Sequence, residues 1–260
     1  PTDFDSVDRA AQRFRYVYDA YLRNSGTKTY LSVIPDKNVF IASPNGYPDK
    51  DYKALVERLG KGFPEAEYID ISGLLSADDF YYTDSHWRQE KILTVADEIA
   101  DKMGAERIGQ CEKHDAGVSF YGVYYGQAAL PHAPERLFYL DNAVIRGLKV
   151  YNVETSSDIP VYDLTAAAGR DPYEMFLGGA RSIIRITNPN AAKEGRLIVF
   201  RDSFGSSIAP LLTAGYSEIT LVDIRYISPS SLGKLIDFTK ADDALFLYSA
   251  SVINNSETIK

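Results

Sequence analysis

The feature that most constrains the fold is the pattern of residues 196–224, RLIVFRDSFGSSIAPLLTAGYSEITLVDI. Residues 197–200 form a short continuous apolar run, which is typical of a strand buried on both faces. Residues 201–205 then turn the chain, a helix is predicted to end at Gly215, and a second strand follows. Strands that alternate with helices in this way predict a mainly parallel sheet.

The same alternation extends along the chain. Helices are predicted in FDSVDRAAQRFRYVYDAYLRN, DYKALVERLGKGF and WRQEKILTVADEIADKMG, and strands in TYLSVIP, AEYIDIS, RSIIRIT and ALFLYSAS. The third helix repeats apolar residues at helical spacing and ends at Gly104, a typical helix stop. We therefore expect an α/β fold, with a mainly parallel sheet flanked by helices on both faces.

Residues from about 111 to 180 are less regular. They are rich in Tyr, Gly and Pro, with short candidate strands in LFYL, VIRGLKVYNV and VYDL. We interpret them as an irregular insertion in the α/β core. The length of 260 residues fits one large domain. We therefore predict a single domain of residues 1–260 with an insertion at about 111–180.

Composition narrows the functional classes. The net charge of −8 argues against nucleic-acid binding, which needs a basic surface to neutralise phosphates. The single cysteine, Cys111, excludes an internal disulfide. No apolar run approaches the roughly 18 residues that span a bilayer. Because the sequence begins at Pro1 rather than methionine, we expect a leader or anchor to precede it in the native protein.

Ser203 is the first candidate for chemistry. In open α/β sheets ligands bind beyond the carboxyl ends of strands, where Ser203 is predicted to lie. Free N–H groups in the first turn of the following helix would favour a developing oxyanion. The alternative is that Asp202 or Ser203 only caps that helix.

A serine nucleophile needs a base, and the chain has three histidines. His114 follows Cys111 by three positions, but no further Cys/His cluster completes a metal site, so we expect no metal. His132 lies between two prolines and is predicted to be a loop residue. His86 remains, with Asp84 two positions before it.

The stretch YYTDSHW around His86 has two interpretations. Residues 83–85 could cap a helix that begins near Trp87, although positions 86–88 lack the Glu or Gln of a capping box. In the functional interpretation, Asp84 accepts a hydrogen bond from one imidazole nitrogen and the other nitrogen faces the serine. The nearby helix N-terminus would keep His86 neutral, as a general base must be.

TDSHW followed by RDSFGSS about 120 residues later resembles the bacterial DHHW family. That family is related to the SGNH-hydrolase-like domains of alginate O-acetyltransferases. YLSVIPDKN, YEMFLGG and YSEITLVDIRY are also similar, so the resemblance covers most of the chain. It implies an SGNH-hydrolase-like, flavodoxin-like three-layer fold. It also implies Ser203 as nucleophile, His86 as base and Asp84 as the carboxylate that orients His86.

Two positions depart from the related patterns. Ser85 stands where the family name implies histidine. Arg201 stands where SGNH esterases have the glycine of their Gly-Asp-Ser motif. A cation there could bind an anionic group of the substrate, or could narrow the site. Arg201 also breaks the G-x-S-x-G pattern, which disfavours an α/β-hydrolase of that type.

Candidate oxyanion donors are the backbone N–H of Ser203 and those of Gly178 and Gly179, because glycine lets backbone approach a ligand closely. A tight turn explains the two glycines equally well. SGNH enzymes also use an asparagine; Asn188 and Asn190 are candidates, although both lie in the turn-like segment TNPN.

The chain contains 19 tyrosines, whose flat faces and hydroxyls suit carbohydrates. Tyr82 could line a sugar-binding groove, and core packing is the alternative. The same choice applies to Tyr81, Tyr121, Tyr124 and Tyr125.

We expect a serine-dependent O-acetyl esterase or O-acetyltransferase that acts on an extracytoplasmic polysaccharide or cell-wall glycan, without a cofactor. The expected partner is a carbohydrate or acylated glycan, and transfer would need an acetyl donor from a partner, for example a membrane-bound one. The alternative is a non-catalytic surface protein that binds or assembles glycans and has a degenerate triad. Either function places the protein outside the cytoplasm or at the cell surface.

Overall fold

A mixed eight-stranded sheet organises the chain in the computed structural model, which describes residues 1–128 and 132–260. The strands in these residues are β1 (Lys28–Ile34), β2 (Glu67–Tyr68), β3 (Glu112–Phe120), β4 (Glu135–Asp141), β5 (Lys149–Asn152), β6 (Ser157–Ile159), β7 (Ile183–Thr187), β8 (Arg196–Arg201), β9 (Glu218–Val222) and β10 (Asp243–Ser249). The order in the sheet is β2-β1-β10-β8-β9-β7-β5-β6, and β3 pairs with β4 in a separate ribbon.

Parallel pairing joins β2, β1, β10, β8 and β9. β7 then pairs antiparallel with β9, and β5 and β6 extend that edge, also antiparallel. The predicted α/β fold with a mainly parallel sheet is therefore confirmed for the strands that carry the site, and one edge of the sheet is antiparallel.

The α-helices within the described ranges are α1 (Phe4–Val17), α2 (Asn38–Ile41), α3 (Tyr52–Gly62), α4 (Leu93–Met103), α5 (Val123–Ala128), α6 (Ala143–Arg146), α7 (Leu164–Ala167), α8 (Phe204–Ile208) and α9 (Ala250–Asn254). None of the helices in residues 1–128 and 132–260 has the length and apolar character needed to cross a membrane.

Two apolar cores lie on the two faces of the sheet. Along β8, Leu197 and Val199 point into one core, while Ile198 and Phe200 point into the other. Buried residues of α4 fill the first core, and those of α1 and α3 fill the second. This alternation is the period of two expected for a strand between two helical layers.

The helix predicted from Trp87 begins later than expected. Helix α4 starts at Leu93, and Trp87 instead forms a β-bridge with Phe80. The side chain of Gln89 is buried and binds the backbone of Leu140 and Ser207. These tertiary contacts replace the helical path that the local sequence favours.

Three other predicted elements are shorter or absent. The helix after Ser203 is α-helical only to Ile208 and continues as a 3₁₀-helix, Ala209–Gly215. The strand predicted in AEYIDIS is reduced to β2. The strand predicted in VYDL is a single bridge between Tyr162 and Phe176.

The predicted insertion, residues 111–180, lies in two separate parts of the fold. The β3–β4 ribbon lies outside the main sheet, whereas β5 and β6 join its antiparallel edge. The single domain of residues 1–260 with an insertion stays a prediction. The strand pairing attaches half of the predicted insertion directly to the sheet.

Candidate active site

A cavity of about 220 Å³ opens at the carboxyl edge of the parallel strands. It lies where β1, β10 and β8 end, the position at which open α/β sheets bind ligands. We call it the serine cavity; its lining residues are Asp36, Lys37, Asn38, Lys50, Ser85, His86, Tyr124, Ser203, Phe204, Ser249, Ser251 and Val252.

Two of the three predicted triad residues line this cavity, and the third lies behind them. His86 Nε2 is 2.7 Å from Ser203 Oγ, and His86 Nδ1 is 2.5 Å from an oxygen of Asp84. Ser203 directly precedes α8 and is partly exposed, while Asp84 is buried. This hydrogen-bonded series is an arrangement that can move a proton from a serine hydroxyl to an imidazole.

Hydrogen bonds to Asp84 favour its ionised form. One carboxylate oxygen also accepts from the backbone N–H of His86 at 2.9 Å, and the other accepts from Val123 N at 3.0 Å. Burial raises the pKa of Asp84, but the His86 ring and these N–H groups outweigh it and lower the pKa to about 2. Asp84 is therefore a carboxylate at neutral pH, able to hold the Nδ1 proton of His86.

The His86 ring is stacked on Tyr173, with ring centroids 3.9 Å apart and planes at 14°. The Tyr173 hydroxyl donates to Ser207 Oγ at 2.7 Å, and Trp87 Nε1 donates to the same oxygen at 2.8 Å. Burial raises the pKa of Tyr173 well above its usual value, so its hydroxyl stays protonated and keeps donating. Tyr173 thus fixes the plane of the imidazole, a role that the sequence did not indicate.

The loop that carries His86, residues 80–87, is not a helix N-terminus. Its backbone closes on itself, with Tyr81 N donating to His86 O at 3.0 Å. The predicted capping role of residues 83–85 is therefore wrong, and so is the predicted effect of a helix end on His86. The physical reason is the bridge between Phe80 and Trp87, which holds this stretch extended at both ends.

Glu135, at the start of β4, holds the amide side of this loop. Its buried carboxylate accepts from the backbone N–H groups of Tyr82 and Thr83, at 2.8 and 2.7 Å, and from the Thr83 hydroxyl at 2.7 Å. It also accepts from Arg88 Nη2 at 2.5 Å. A charged acceptor for several donors makes strong hydrogen bonds, so Glu135 fixes the loop that precedes Asp84.

Lys37 holds the carbonyl side of the same loop. Its Nζ donates to the backbone oxygens of Tyr81, Tyr82 and Asp84, at 2.7, 3.0 and 3.1 Å. Burial lowers the pKa of Lys37, while Glu135 and Asp84 oppose that shift. Sequence reasoning missed Lys37; its position just after β1, at the carboxyl edge, was the available signal.

The turn before Ser203 is fixed by Asp202. One of its carboxylate oxygens accepts from Phe204 N at 3.1 Å, and the other accepts from Ser249 N, at the end of β10, at 2.8 Å. Asp202 therefore caps the first turn, as the alternative interpretation expected for it. The Ser203 hydroxyl does not cap the helix and meets His86 instead.

The structure corrects the prediction that Arg201 lies in the candidate site. Its side chain is fully buried at the end of β8 and does not line the serine cavity. Nη1 lies 3.7 Å from Asp223, which also pairs with Arg225 at 2.7 Å. Arg201 therefore neither binds an anionic group of a substrate nor narrows the serine cavity. The buried carboxylate of Asp223 is the acidic partner of the Arg201 charge.

Gly178, Gly179 and Asn188 also do not line the serine cavity. Both glycines have positive φ, and Gly179 N donates to Phe176 O at 3.1 Å, so the tight-turn alternative is correct. Asn188 follows β7, whose antiparallel direction brings it to the opposite edge of the sheet. There its side-chain amide donates to Thr213 O at 3.0 Å.

The tyrosines divide between core and surface. Tyr81 is fully buried, so core packing is correct for it. Tyr82 is 70% exposed and stacks on His132 at 4.5 Å, and Tyr124 lines the serine cavity. Tyr121 and Tyr125 pack together on a separate groove behind Asp84.

None of the curated protein sequences compared with the chain matches it. A solved DHHW family protein from Eubacterium siraeum is 18% identical with a TM-score of 0.77, covering 100% of this chain and 88% of that chain. PatB1 of Bacillus cereus, solved with a sulfonyl adduct, is 17% identical with a TM-score of 0.76, covering 97% and 91%.

The O-acetyltransferase domain of Pseudomonas putida AlgJ is 12% identical with a TM-score of 0.56, covering 96% of this chain and 84% of that domain. At these identities the likeness establishes the fold alone. The predicted α/β fold, with a sheet flanked by helices, is thereby confirmed.

A sequence model of the family described as DHHW protein matches residues 74–222. The match covers more than half of the chain and includes both the TDSHW and the RDSFGSS segments. The predicted resemblance is confirmed, and the chain belongs to the DHHW family.

Proposed function

We propose that the chain catalyses serine-dependent O-acyl transfer, as an acetyl esterase or O-acetyltransferase acting on an extracytoplasmic polysaccharide or cell-wall glycan. The observation that carries the proposal is the hydrogen-bonded series Asp84–His86–Ser203, whose serine opens into a cavity. The likeness to the O-acetyltransferase domain of AlgJ supports the same class of reaction.

In the proposed reaction, Ser203 Oγ attacks the carbonyl carbon of an acetyl ester while His86 Nε2 takes the hydroxyl proton. The tetrahedral intermediate collapses, the alcohol leaves with the proton from His86, and an acetyl-serine remains. Water or a sugar hydroxyl then attacks that ester, again losing its proton to His86. Asp84 stabilises the imidazolium in both halves of the reaction.

Two donors are proposed for the oxyanion. The Ser203 backbone N–H is the first, because the next N–H, that of Phe204, is already bound by Asp202. The side-chain amide of Asn38, which lines the serine cavity, is the second. Transfer, as opposed to hydrolysis, additionally needs an acetyl donor, and we propose that a partner delivers it.

Turnover of p-nitrophenyl acetate tests the proposal. We expect Ser203→Ala to lower kcat/KM by at least about 10³-fold, because the nucleophile is lost. Ser251→Ala, at another serine of the same cavity, is the matched control and should retain activity. Equal rates for the wild-type protein and Ser203→Ala would contradict the proposal. Tight glycan binding without any turnover would favour the non-catalytic alternative.

Covalent labelling gives a second readout. A sulfonyl fluoride such as phenylmethylsulfonyl fluoride reacts with an activated serine, forming a sulfonyl ester and releasing fluoride. We expect the intact mass to increase by one adduct in the wild-type protein and not in Ser203→Ala. Labelling of both proteins to the same extent would show that another residue is the reactive one.

A further inference from the structure

A second cavity, of about 560 Å³, adjoins the serine cavity. The two cavities share Lys37, Asn38 and Tyr124 in their linings, so they lie side by side. We call the second one the tyrosine cavity; its lining residues are Lys37, Asn38, Ile41, Ala77, Asp78, Phe80, Tyr82, Arg88 and Tyr124. A ligand whose reacting group lies at Ser203 therefore has the tyrosine cavity as its neighbouring site.

The most exposed ring in this lining, Tyr82, is carried by a fixed backbone. Its side chain is 70% exposed, whereas its N–H is bound by Glu135 at 2.8 Å and its carbonyl by Lys37 at 3.0 Å. Tyrosine has few rotatable bonds, so a ring on an anchored backbone gives a large contact area at a low entropic cost. One side of the ring stacks on His132, and the part of the ring that remains exposed suits the C–H face of a pyranose ring.

Polar side chains line the same cavity as the Tyr82 ring. The carboxylate of Asp78, the amide of Asn38 and the guanidinium of Arg88 all line the tyrosine cavity. Such groups form paired hydrogen bonds with adjacent sugar hydroxyls. An apolar surface with a few convergent polar groups is the usual composition of a small-molecule site.

The charges favour a neutral sugar. Both cations of the lining are already engaged, since Lys37 donates to three carbonyls and Arg88 pairs with Glu135 at 2.5 Å. Asp78 adds an exposed negative charge. A carboxylate or phosphate on the ligand would therefore be repelled by Asp78, and it would find the N–H donors of Lys37 already bound to carbonyls.

We propose that the tyrosine cavity binds a neutral pyranose ring next to the sugar whose acyl group reaches Ser203. Tyr82 stacks on that ring and Asp78 and Arg88 bind its hydroxyls. The position of the scissile ester rests on the proposed function, whereas binding of the neighbouring ring is measurable without catalysis.

Calorimetric titration tests the binding site directly. Ser203→Ala protein, which cannot turn over a ligand, is titrated with chitotetraose, cellotetraose and mannotetraose. We expect at least one to bind, and the added substitution Tyr82→Ala to raise its Kd by about 10-fold. Tyr82→Phe keeps the aromatic face and should keep the affinity within about 3-fold.

Tyr16→Ala is the matched control, because Tyr16 is 50% exposed on α1 and lines neither cavity. Unfolding temperatures show whether each variant is folded. The inference is overturned if none of the three sugars binds, if Tyr82→Ala binds as tightly as its parent, or if a tetragalacturonate binds more tightly than all three. If Tyr82-dependent sugar binding is found but the wild-type protein does not turn over p-nitrophenyl acetate, the proposed function alone is contradicted.

Discussion

Gly122 lies so close to Asp84 that a Cβ at position 122 would be 2.3 Å from the Asp84 Cβ. The same atom would be 2.4 Å from the Thr83 carbonyl oxygen, and Gly122 N donates to the Thr83 hydroxyl at 3.0 Å. The segment after β3 therefore packs directly on the loop that carries Asp84 and His86. Residues predicted as an insertion form one wall of the candidate site.

Gly122→Ala is expected to displace this loop. Because the neighbours are backbone and Cβ atoms, we expect a loss of stability of about 1–3 kcal/mol and a fall in kcat of about 10²-fold. Urea unfolding and p-nitrophenyl acetate turnover measure the two effects. Gly126→Ala is the control, because a Cβ at position 126 would have nothing within 4 Å. We expect it to change stability and kcat little. Similar behaviour of the two variants would argue against the close contact.

Lys37→Met is expected to lower kcat by about 10²-fold with little change in KM for p-nitrophenyl acetate. The substitution releases three carbonyls of the 80–87 loop, so His86 loses its position relative to Ser203. Lys50→Met removes the same charge from the same cavity, but Lys50 pairs with Asp36. An equal fall in kcat in both variants would mean that activity depends on the positive charge in the cavity and not on the position of the loop. Lys37→Arg should recover part of the activity.

Asp84→Asn is expected to change the acid dependence of stability. The pKa of Asp84 is lowered from 3.8 to about 2 in the folded protein, so its ionisation stabilises the fold above pH 4. That contribution, roughly 2 kcal/mol, is lost as the pH falls from about 4 to about 2. Urea unfolding of both proteins across this range should therefore converge at low pH. A difference in the free energy of unfolding that stays the same at every pH would refute the lowered pKa of Asp84.

Asp223→Ala should destabilise the protein more than Arg201→Met. Removal of Asp223 leaves the buried Arg201 without its partner, at a cost of about 3–5 kcal/mol. Arg201→Met leaves Asp223 paired with Arg225, so we expect a loss of less than about 2 kcal/mol. Arg58→Met, which breaks an exposed pair with Asp8, is the control and should leave the free energy of unfolding nearly unchanged. A larger loss for Arg201→Met would show that Arg201 supports the turn before Ser203.

Local patterns in the sequence predicted the regular elements well. Apolar spacing located α1 and the second half of the helix that ends at Gly104, and continuous apolar runs located β8 and β10. These patterns are set by the layers on each side of the sheet, so they can be read within one segment. The neighbouring positions of Ser203 and His86 followed from motif order rather than from periodicity.

Contacts between distant segments explain what the sequence did not indicate. Burial of Arg201 depends on Asp223, and the location of Asn188 depends on the antiparallel direction of β7. The supports of the His86 loop, Lys37 and Glu135, lie about 50 residues on either side of it. A single sequence contains no local signal for such pairs.

The position of β10 between β1 and β8 has a consequence for folding. β10 is the last strand in chain order, yet it joins the two halves of the parallel sheet, and its Ser249 binds Asp202 beside the nucleophile. Until β10 is in place, β1 and β8 therefore each have one unpaired edge. Pairing across such sequence distances is slow and exposes apolar surface. The turn that carries Ser203 therefore gains its hydrogen bond to Ser249 only after β10 has entered the sheet.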